Sequence, residues 1–221
     1  MKKLFILGTS GHAKVLLDIA KSMNAYNEIF FLDPSKEQGR KINGISVAGS
    51  EDNLDVIVKG VYSNIELAIG IGDNAIRNKV YEKLYSRFPT LKYAVLIHPS
   101  AVVSETSKIG EGTVVMPCAV VNANSKIGKF SIVNTKASID HDCLIGDFVT
   151  VAPGATLGGN VTVGDYSAVC LGASVIHGIT IGKENVIGAN SLVLKNIDAN
   201  GVYYGSPCKF IRKREHGESY L

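Results

Sequence analysis

The stretch "IGKFSIVNTKASIDHDCLIGDFVTV", residues 127–151, decides the fold of most of the chain. Within it, Ile or Val stands at every sixth position, beginning at Ile127. The same period continues in both directions, so that seventeen consecutive sixth positions from Ile97 to Val193 hold Ile, Val or Leu. Glycine follows the aliphatic residue at an eighteen-residue spacing, at positions 110, 128, 146, 164 and 182.

A six-residue period inside an eighteen-residue period predicts a coil with three short, flat faces per turn. The aliphatic residue fills the inside, a small residue two positions earlier fits beside it, and glycine recurs at one corner. Successive coils stack at the spacing of neighbouring strands, about 4.8 Å. We therefore predict a parallel β-helix over residues 96–200, and the hexapeptide form resembles the left-handed kind.

The first 95 residues follow a different pattern, in which short apolar strands alternate with helices. "KLFIL" is followed by the glycine turn "GTSG" and the amphipathic segment "HAKVLLDIAKSM", and "EIFFLD" is a second strand. A later helix carries apolar residues at every fourth position: Ile76, Val80, Leu84 and Phe88. This alternation predicts a small Rossmann-like α/β domain with a parallel sheet over residues 1–95.

The remaining features bound the class of protein. The net charge is +3 with no basic stripe in the body of the chain, which argues against nucleic acid as a partner. The N-terminal apolar run is too short for a signal peptide, and no segment approaches the roughly 20 apolar residues of a membrane span. The four cysteines lack C-x-x-C spacing, so we expect reduced cysteines in a cytoplasmic protein. Residues 201–221 are interpreted as a C-terminal tail, whose "KFIRKRE" segment is solvated or reaches a CoA phosphate or an acidic neighbour.

The six-residue register divides the cluster "IDHDC", residues 139–143. It turns Ile139 and Cys143 inward, which disfavours a cysteine nucleophile. Asp140 follows the aliphatic residue, where an acid is common in this template. His141 and Asp142 are left at an outward corner.

The residue stacked directly on His141 is predicted to be Gly159, one coil further on. An exposed imidazole beside a bare backbone amide suits acyl transfer, because the imidazole accepts the nucleophile's proton and the N–H meets the developing oxyanion. Geometry alone leaves a structural turn histidine and a catalytic histidine equally open. A zinc site built from His98, His141 and His177 is disfavoured, because the last two are expected about 10 Å apart in one chain.

The combination of "ILGTSGHAKVLLDIA" with an uninterrupted hexapeptide helix containing "IDHDCLIGDF" resembles the bacterial sugar acyltransferases of the NeuD and PglD type. The resemblance extends to the terminal "GVYYGSPCK". It implies a homotrimer with an N-terminal domain that binds a nucleotide sugar and with active sites between subunits. It also implies acetyl-CoA as the acetyl donor, no metal, and the 4-amino group of a nucleotide-linked amino-dideoxy sugar as the acceptor.

Carried over by this resemblance, His141 is the general base, Asp142 the acid that increases its basicity, and the Gly159 amide the group facing the thioester carbonyl. The positions implied to bind the sugar nucleotide are Ser10, Gly11, His12, Asp33, Pro34 and Gly72. Those implied to contact acetyl-CoA are Thr150, Gly159, Leu171 and Ala189. Two of these depart from some relatives, since Thr150 replaces a histidine and Pro34 replaces an acid.

The resulting hypothesis is an acetyl-CoA-dependent N-acetyltransferase acting on a nucleotide-linked, and by preference UDP-linked, amino sugar. Its nearest rival is an O-acetyltransferase of a sialic-acid-like sugar. Two rivals come from other classes: a zinc-dependent hydratase of the gamma-carbonic-anhydrase type and a catalytically inert scaffold.

Overall fold

The structure of the chain, a computed structural model, describes residues 2–57, 64–215 and 217–220. The N-terminal part contains, in chain order, β1 (Lys3–Leu7), α1 (Gly11–Met23), β2 (Glu28–Leu32), β3 (Lys41–Ile42), β4 (Ile45–Gly49), α2 (Leu54–Ile57), β5 (Ile65–Ile69), α3 (Asn74–Arg87) and β6 (Lys92–Tyr93). Its strands form one sheet in the order β3-β4-β2-β1-β5-β6, parallel except between β3 and β4. The predicted Rossmann-like domain with a parallel α/β sheet is confirmed.

The two long helices differ in how well their sequence pattern matches their burial. In α1, apolar residues at helical spacing form the buried face, and the helix ends at Asn24 in a left-handed conformation. In α3 the expected apolar face is wrong at its first member. Ile76 is 49% exposed, whereas the neighbouring Arg77 is 2% exposed. The reason is tertiary, because Arg77 enters the contact between the two domains.

From residue 96 onward the chain winds into stacked triangular coils made of two-residue strands. These strands are β7 (Leu96–Ile97), β8 (Val102–Val103), β9 (Lys108–Ile109), β10 (Val114–Val115), β11 (Val120–Val121), β12 (Lys126–Ile127), β13 (Ile132–Val133), β14 (Ser138–Ile139), β15 (Leu144–Ile145), β16 (Thr150–Val151), β17 (Thr156–Leu157), β18 (Thr162–Val163), β19 (Ala168–Val169), β20 (Ser174–Val175), β21 (Thr180–Ile181), β22 (Val186–Ile187) and β23 (Leu192–Val193). From β7 to β20, each strand pairs in parallel with the strand three further on, which confirms the predicted parallel β-helix. Its left-handed sense stays a prediction.

Three parallel sheets therefore form the sides of the prism. The first face contains β7, β10, β13, β16, β19 and β22; the second contains β8, β11, β14, β17, β20 and β23; the third contains β9, β12, β15, β18 and β21. The first corner joins the first and second faces, the second corner joins the second and third, and the third corner joins the third and first. The repeated aliphatic residues fill the interior, and Ile139 and Cys143 are both 0% exposed, as the register predicted.

The N-terminal domain packs against the first face and the third corner. Buried residues of α1 share one apolar cluster with Leu96, Val114 and Ile132 of the first face. At the third corner, the rings of Phe130, Phe148 and Tyr166 stack on one another, with centroids 5.1 Å and 5.3 Å apart. The second corner, on the opposite side of the prism, is left outside this contact.

The C-terminal residues are more ordered than a solvated tail. Two further strands, β24 (Gly201–Tyr204) and β25 (Lys209–Lys213), extend the first face, and β25 runs antiparallel to β24. The side chains of β25 are exposed, but Arg214 directly after it is 5% exposed. Within the described residues, no helix has the length and apolar character that would let it cross a membrane.

Candidate active site

His141 lies at the second corner with its imidazole exposed and held on two sides. Its Nδ1 is 2.8 Å from Asp142 Oδ2, and the two side chains are 52% and 46% exposed. Asp142 has a left-handed backbone (φ 57°), which aspartate tolerates better than most residues. A Cβ added to Gly159 would lie 2.6 Å from both Cε1 and Nε2 of His141. The predicted stacking of His141 on a bare glycine backbone is therefore confirmed.

Polar side chains of the same coil and of the preceding one support this pair. Asp140 Oδ1 accepts hydrogen bonds from the His141 backbone N–H at 2.8 Å and from Asn122 Nδ2 at 2.9 Å. Asn124 Nδ2 donates to Asp142 Oδ1 at 3.3 Å. The sequence pattern marks Asp140 only as an acid that is common at this position of the repeat, and so it misses this role. Asn122 and Asn124 lie eighteen residues before Asp140 and Asp142, and this spacing could have predicted both contacts.

The charges at this corner favour a basic imidazole. The hydrogen bond that His141 Nδ1–H donates to Asp142 raises the pKa of His141 above its ordinary value, and the negative charges of Asp140 and Asp142 act in the same direction. In return, the pKa of Asp142 is lowered by its hydrogen bonds to His141 and Asn124. The arrangement fixes Nδ1 against the carboxylate and leaves Nε2 on the side of Gly159, where a base would meet its substrate.

A second group of the predicted residues meets at the carboxyl ends of β1, β2 and β5. The Ser10 hydroxyl donates to the Gly70 carbonyl at 3.2 Å instead of capping α1. A Cβ on Gly70 would lie 2.6 Å from that of Ala13, so glycine is required where β5 approaches α1. Gly11 lies beside open space at the start of α1, whose free N–H groups suit a phosphate.

Asp33 follows β2 at the same edge of the sheet. Its carboxylate accepts from the Thr9 hydroxyl and from the backbone N–H and hydroxyl of Ser35. Burial acts to raise the pKa of Asp33, but these hydrogen bonds hold it below its ordinary value. Pro34 beside it is exposed. The carboxyl edge of a parallel sheet is the usual place for a ligand in this class of fold.

His12 differs from His141 in every respect that controls protonation. Burial and the charge of Arg77 lower the pKa of His12 to about 4, so its imidazole is neutral at pH 7. Its Nε2 is buried without a hydrogen-bond partner among the described residues. A buried polar atom left unpaired is expensive, so this nitrogen fits a ligand that supplies the missing hydrogen bond.

Arg77 connects this group to the β-helix, and no sequence signal marked it. Its guanidinium donates to the Gly72 carbonyl at 2.6 Å, to the Phe130 carbonyl at 2.8 Å and to Thr150 Oγ1 at 3.4 Å. Thr150, which the resemblance assigned to acetyl-CoA, is thus 4% exposed and lies beside the sugar-nucleotide residues. Leu171 and Ala189, the other coenzyme positions, lie one coil apart on the first corner, and Leu171 is 58% exposed.

The predicted residues therefore form three groups in one chain: His141 with Asp142 and Gly159 at the second corner, the sugar-nucleotide residues with Thr150 at the first face, and Leu171 with Ala189 at the first corner. Among the described residues, no cluster of three or more His, Cys, Asp or Glu side chains is arranged to hold a metal ion.

Comparisons with known proteins agree on one family. The sequence model of the PglD N-terminal domain matches residues 3–84. A UDP-N-acetylbacillosamine N-acetyltransferase from Bacillus subtilis (strain 168) is 34% identical over 120 residues, which are 52% of this chain and 52% of that protein. The match thus spans about half the length of this curated relative.

Two solved structures are similar over almost the whole chain. The acetyltransferase domain of PglB from Neisseria gonorrhoeae FA1090, in complex with acetyl coenzyme A, has a TM-score of 0.87 and 36% identity, covering 95% of this chain and 99% of that one. A histidine-to-asparagine mutant of perosamine N-acetyltransferase from Caulobacter crescentus, in complex with CoA and GDP-perosamine, has a TM-score of 0.88 and 32% identity, covering 96% and 98%. The chain belongs to the NeuD/PglD-type family of hexapeptide-repeat sugar acyltransferases.

Proposed function

We propose that this protein transfers an acetyl group from acetyl-CoA to the 4-amino group of a nucleotide-linked amino-dideoxy sugar. Family membership and the coenzyme bound in the related PglB domain support the donor. The names of the relatives support an amino-sugar acceptor, attached to UDP in the B. subtilis enzyme and to GDP in the C. crescentus complex. We propose UDP for this chain. Since both substrates are metabolites of the cytoplasm, we place the enzyme there.

The observation that carries the proposal is the position of His141 over Gly159. The imidazole is exposed, its Nδ1 is 2.8 Å from Asp142, and its Nε2 lies 2.6 Å from the position that a Cβ of Gly159 would take. A proton acceptor and a backbone amide are thereby placed side by side. An acetyl transfer to an amine needs both, one for the proton and one for the oxyanion.

In the proposed mechanism, the sugar amine attacks the thioester carbonyl and a C–N bond forms. The carbonyl oxygen becomes an oxyanion that the Gly159 amide stabilises. His141 Nε2 takes the proton from the nitrogen of the tetrahedral adduct, the C–S bond breaks, and the CoA sulfur leaves and is protonated. No acyl-enzyme is formed, and Cys143 is excluded as a nucleophile because its side chain is buried in the core.

The position of the three groups supports a homotrimer with active sites between subunits. The N-terminal domain covers the first face, whereas His141 lies on the second corner across the prism, so one chain does not bring its own sugar-nucleotide residues to its own base. A neighbouring subunit placed against the second corner would do so.

Subunit mixing tests this arrangement. The His141→Ala protein, which is impaired in turnover, and the His12→Ala protein, which is weakly active at sugar-nucleotide concentrations below its raised KM, are unfolded together, refolded and assayed at such a concentration. If each site combines residues of two subunits, about a quarter of the sites in randomly mixed trimers regain both histidines. If both histidines of a site came from one chain, mixing would restore no activity, because no chain in the mixture carries both. Any recovery of activity therefore supports the shared site. No recovery on mixing contradicts it.

The acceptor is tested with a panel of UDP-, dTDP- and GDP-linked 4-amino sugars, together with the matching 4-hydroxy sugars, in an assay for CoA release. The proposal predicts release with amino acceptors and the fastest release with UDP. Release with hydroxyl acceptors alone would instead identify an O-acetyltransferase.

A further inference from the structure

The segment after β25 returns to the loop that carries Gly72. We call the described residues 214–215 and 217–220 the C-terminal strap. At its end, the Tyr220 hydroxyl lies 3.1 Å from the Gly72 carbonyl oxygen and 3.1 Å from Thr150 Oγ1. One hydroxyl thus joins the N-terminal domain to the first face of the β-helix.

The strap also binds Asp73, the N-cap residue immediately before α3. Asp73 Oδ1 caps the helix by accepting from the Ile76 backbone N–H at 3.0 Å. Its other oxygen, Oδ2, accepts from the Ser219 hydroxyl at 2.7 Å and from the Tyr220 backbone N–H at 3.3 Å. The turn between β5 and α3 is therefore held from the helix side and from the strap side at once.

Arg214 anchors the strap to the β-helix. It is 5% exposed, and its guanidinium donates to the Tyr166 carbonyl at 3.0 Å and to the Glu218 carbonyl at 2.6 Å. The Glu218 side chain in turn accepts from Arg212 and from the Glu215 backbone N–H. A segment with a buried anchor and internal hydrogen bonds presents Tyr220 in a defined position.

Tyr220 shares its acceptors with Arg77. The Gly72 carbonyl and the Thr150 hydroxyl, which both lie within hydrogen-bond distance of the Tyr220 hydroxyl, also accept hydrogen bonds from Arg77. Tyr220, Arg77, Gly72 and Thr150 are thus parts of one contact network. Burial and the charge of the Arg77 guanidinium together lower the pKa of His12, another residue predicted to bind the sugar nucleotide, to about 4.

We propose that Tyr220 is a positioning residue for sugar-nucleotide binding: with Arg77, it fixes the Gly72 loop and so the surface that the nucleotide sugar meets. This role rests on the proposed function, because it requires that Gly72 and His12 bind the sugar nucleotide. It also assigns a purpose to the C-terminal segment beyond solvation. If the strap served folding alone, a mutation in it would lower the melting temperature without raising the KM for the sugar nucleotide relative to the KM for acetyl-CoA.

The test compares Tyr220→Phe with wild type in the full-length protein. The variant keeps the ring and loses only the hydroxyl. We expect the KM for the sugar nucleotide and its dissociation constant to rise about 5- to 10-fold, the ratio that corresponds to one lost hydrogen bond. The KM for acetyl-CoA and kcat stay within about two-fold, because Tyr220 contacts the Gly72 loop and Thr150 and acts on the loop geometry rather than on the reacting atoms. Ser219→Ala, which loosens the same loop through Asp73, is expected to shift the same constant in the same direction.

Tyr85→Phe is the matched control, because this tyrosine is exposed on the outer side of α3. It should leave all constants unchanged. An active Tyr220→Phe protein with unchanged sugar-nucleotide affinity, or with a lowered melting temperature only, overturns the positioning role and leaves the proposed function standing. A wild-type protein that binds no sugar nucleotide in calorimetry overturns both.

Discussion

Two histidines of this chain occupy opposite environments. His141 is exposed at a corner of the β-helix beside two aspartates, and the hydrogen bond that it donates to Asp142 raises its pKa. His12, at the start of α1, is partly exposed but its Nε2 is buried, and burial together with the charge of Arg77 lowers its pKa to about 4. At neutral pH the first is suited to exchanging a proton, and the second is held neutral as a hydrogen-bonding group.

The contrast shows how the environment gives the same type of side chain two different protonation states. A carboxylate beside an exposed imidazole stabilises the protonated form, which makes it a better base. Burial beside a cation removes the protonated form and leaves a fixed donor and acceptor, which suits recognition of a polar ligand. Experiments that change the surroundings of one histidine and leave those of the other intact can test this difference.

Among the variants that keep His141, the largest effect is expected from Gly159→Ala. The added Cβ would lie 2.6 Å from two atoms of the His141 ring, so the imidazole must move and the space for the thioester is filled. Gly159 does not have a left-handed backbone, so the substitution tests space and not strain. We expect kcat to fall by about 10²-fold or more, the scale of lost general-base catalysis.

Gly158→Ala is the control for Gly159→Ala. A Cβ at Gly158 would lie 2.8 Å from the backbone nitrogen of His177, which cannot move away without disturbing the next coil. Gly158→Ala should lower the melting temperature, whereas Gly159→Ala should lower turnover with little change in melting temperature. The same loss of stability in both variants would contradict the role given to Gly159.

His12→Ala should act on binding and leave the chemical step intact. If the sugar nucleotide pairs with the buried Nε2, losing that hydrogen bond costs about 1–3 kcal/mol, which is about 5- to 150-fold in affinity. We expect the KM for the sugar nucleotide to rise within that range while kcat changes little. His98→Ala, which removes a histidine hydrogen-bonded to Ser100 at the start of the β-helix, is the control. An unchanged KM in His12→Ala would show that the unpaired nitrogen is not a ligand-binding group.

Asp142→Asn should produce a smaller effect with a diagnostic pH dependence. Asp142 raises the pKa of His141, so its replacement lowers that pKa. A base works only when deprotonated, and therefore the acid limb of the profile of kcat/KM against pH should move to lower pH. The weaker base should also reduce the plateau rate by about 10-fold. Asp18→Asn, an exposed substitution on α1, should reproduce the wild-type profile. If the acid limb does not move, it does not reflect the protonation of His141.

The sequence predicted the second corner of the β-helix better than it predicted the contact between the two domains. The register placed Cys143 inside and His141 over Gly159, because strand stacking imposes the same spacing on every coil. It did not show that Asp140 holds the His141 backbone, because the template already explained an acid at that position.

The contact between the two domains depends on residues that are far apart in the chain. Arg77 occupies a position that periodicity marks as the edge of an apolar face, yet it is buried because carbonyl groups of the β-helix surround it. Tyr220 meets Gly72 across 148 positions, and no local pattern encodes that contact. Periodicity reports a side chain's own element, whereas such pairs depend on how two elements dock.

The most direct test of the central claim is the turnover of His141→Ala, measured together with the affinity of the variant for both substrates. We predict that kcat falls by about 10²- to 10⁴-fold, the usual contribution of a positioned base, while the dissociation constants for acetyl-CoA and the sugar nucleotide stay close to those of the wild type. A variant that binds both substrates and turns over at nearly the wild-type rate would contradict the assignment of His141 as the general base.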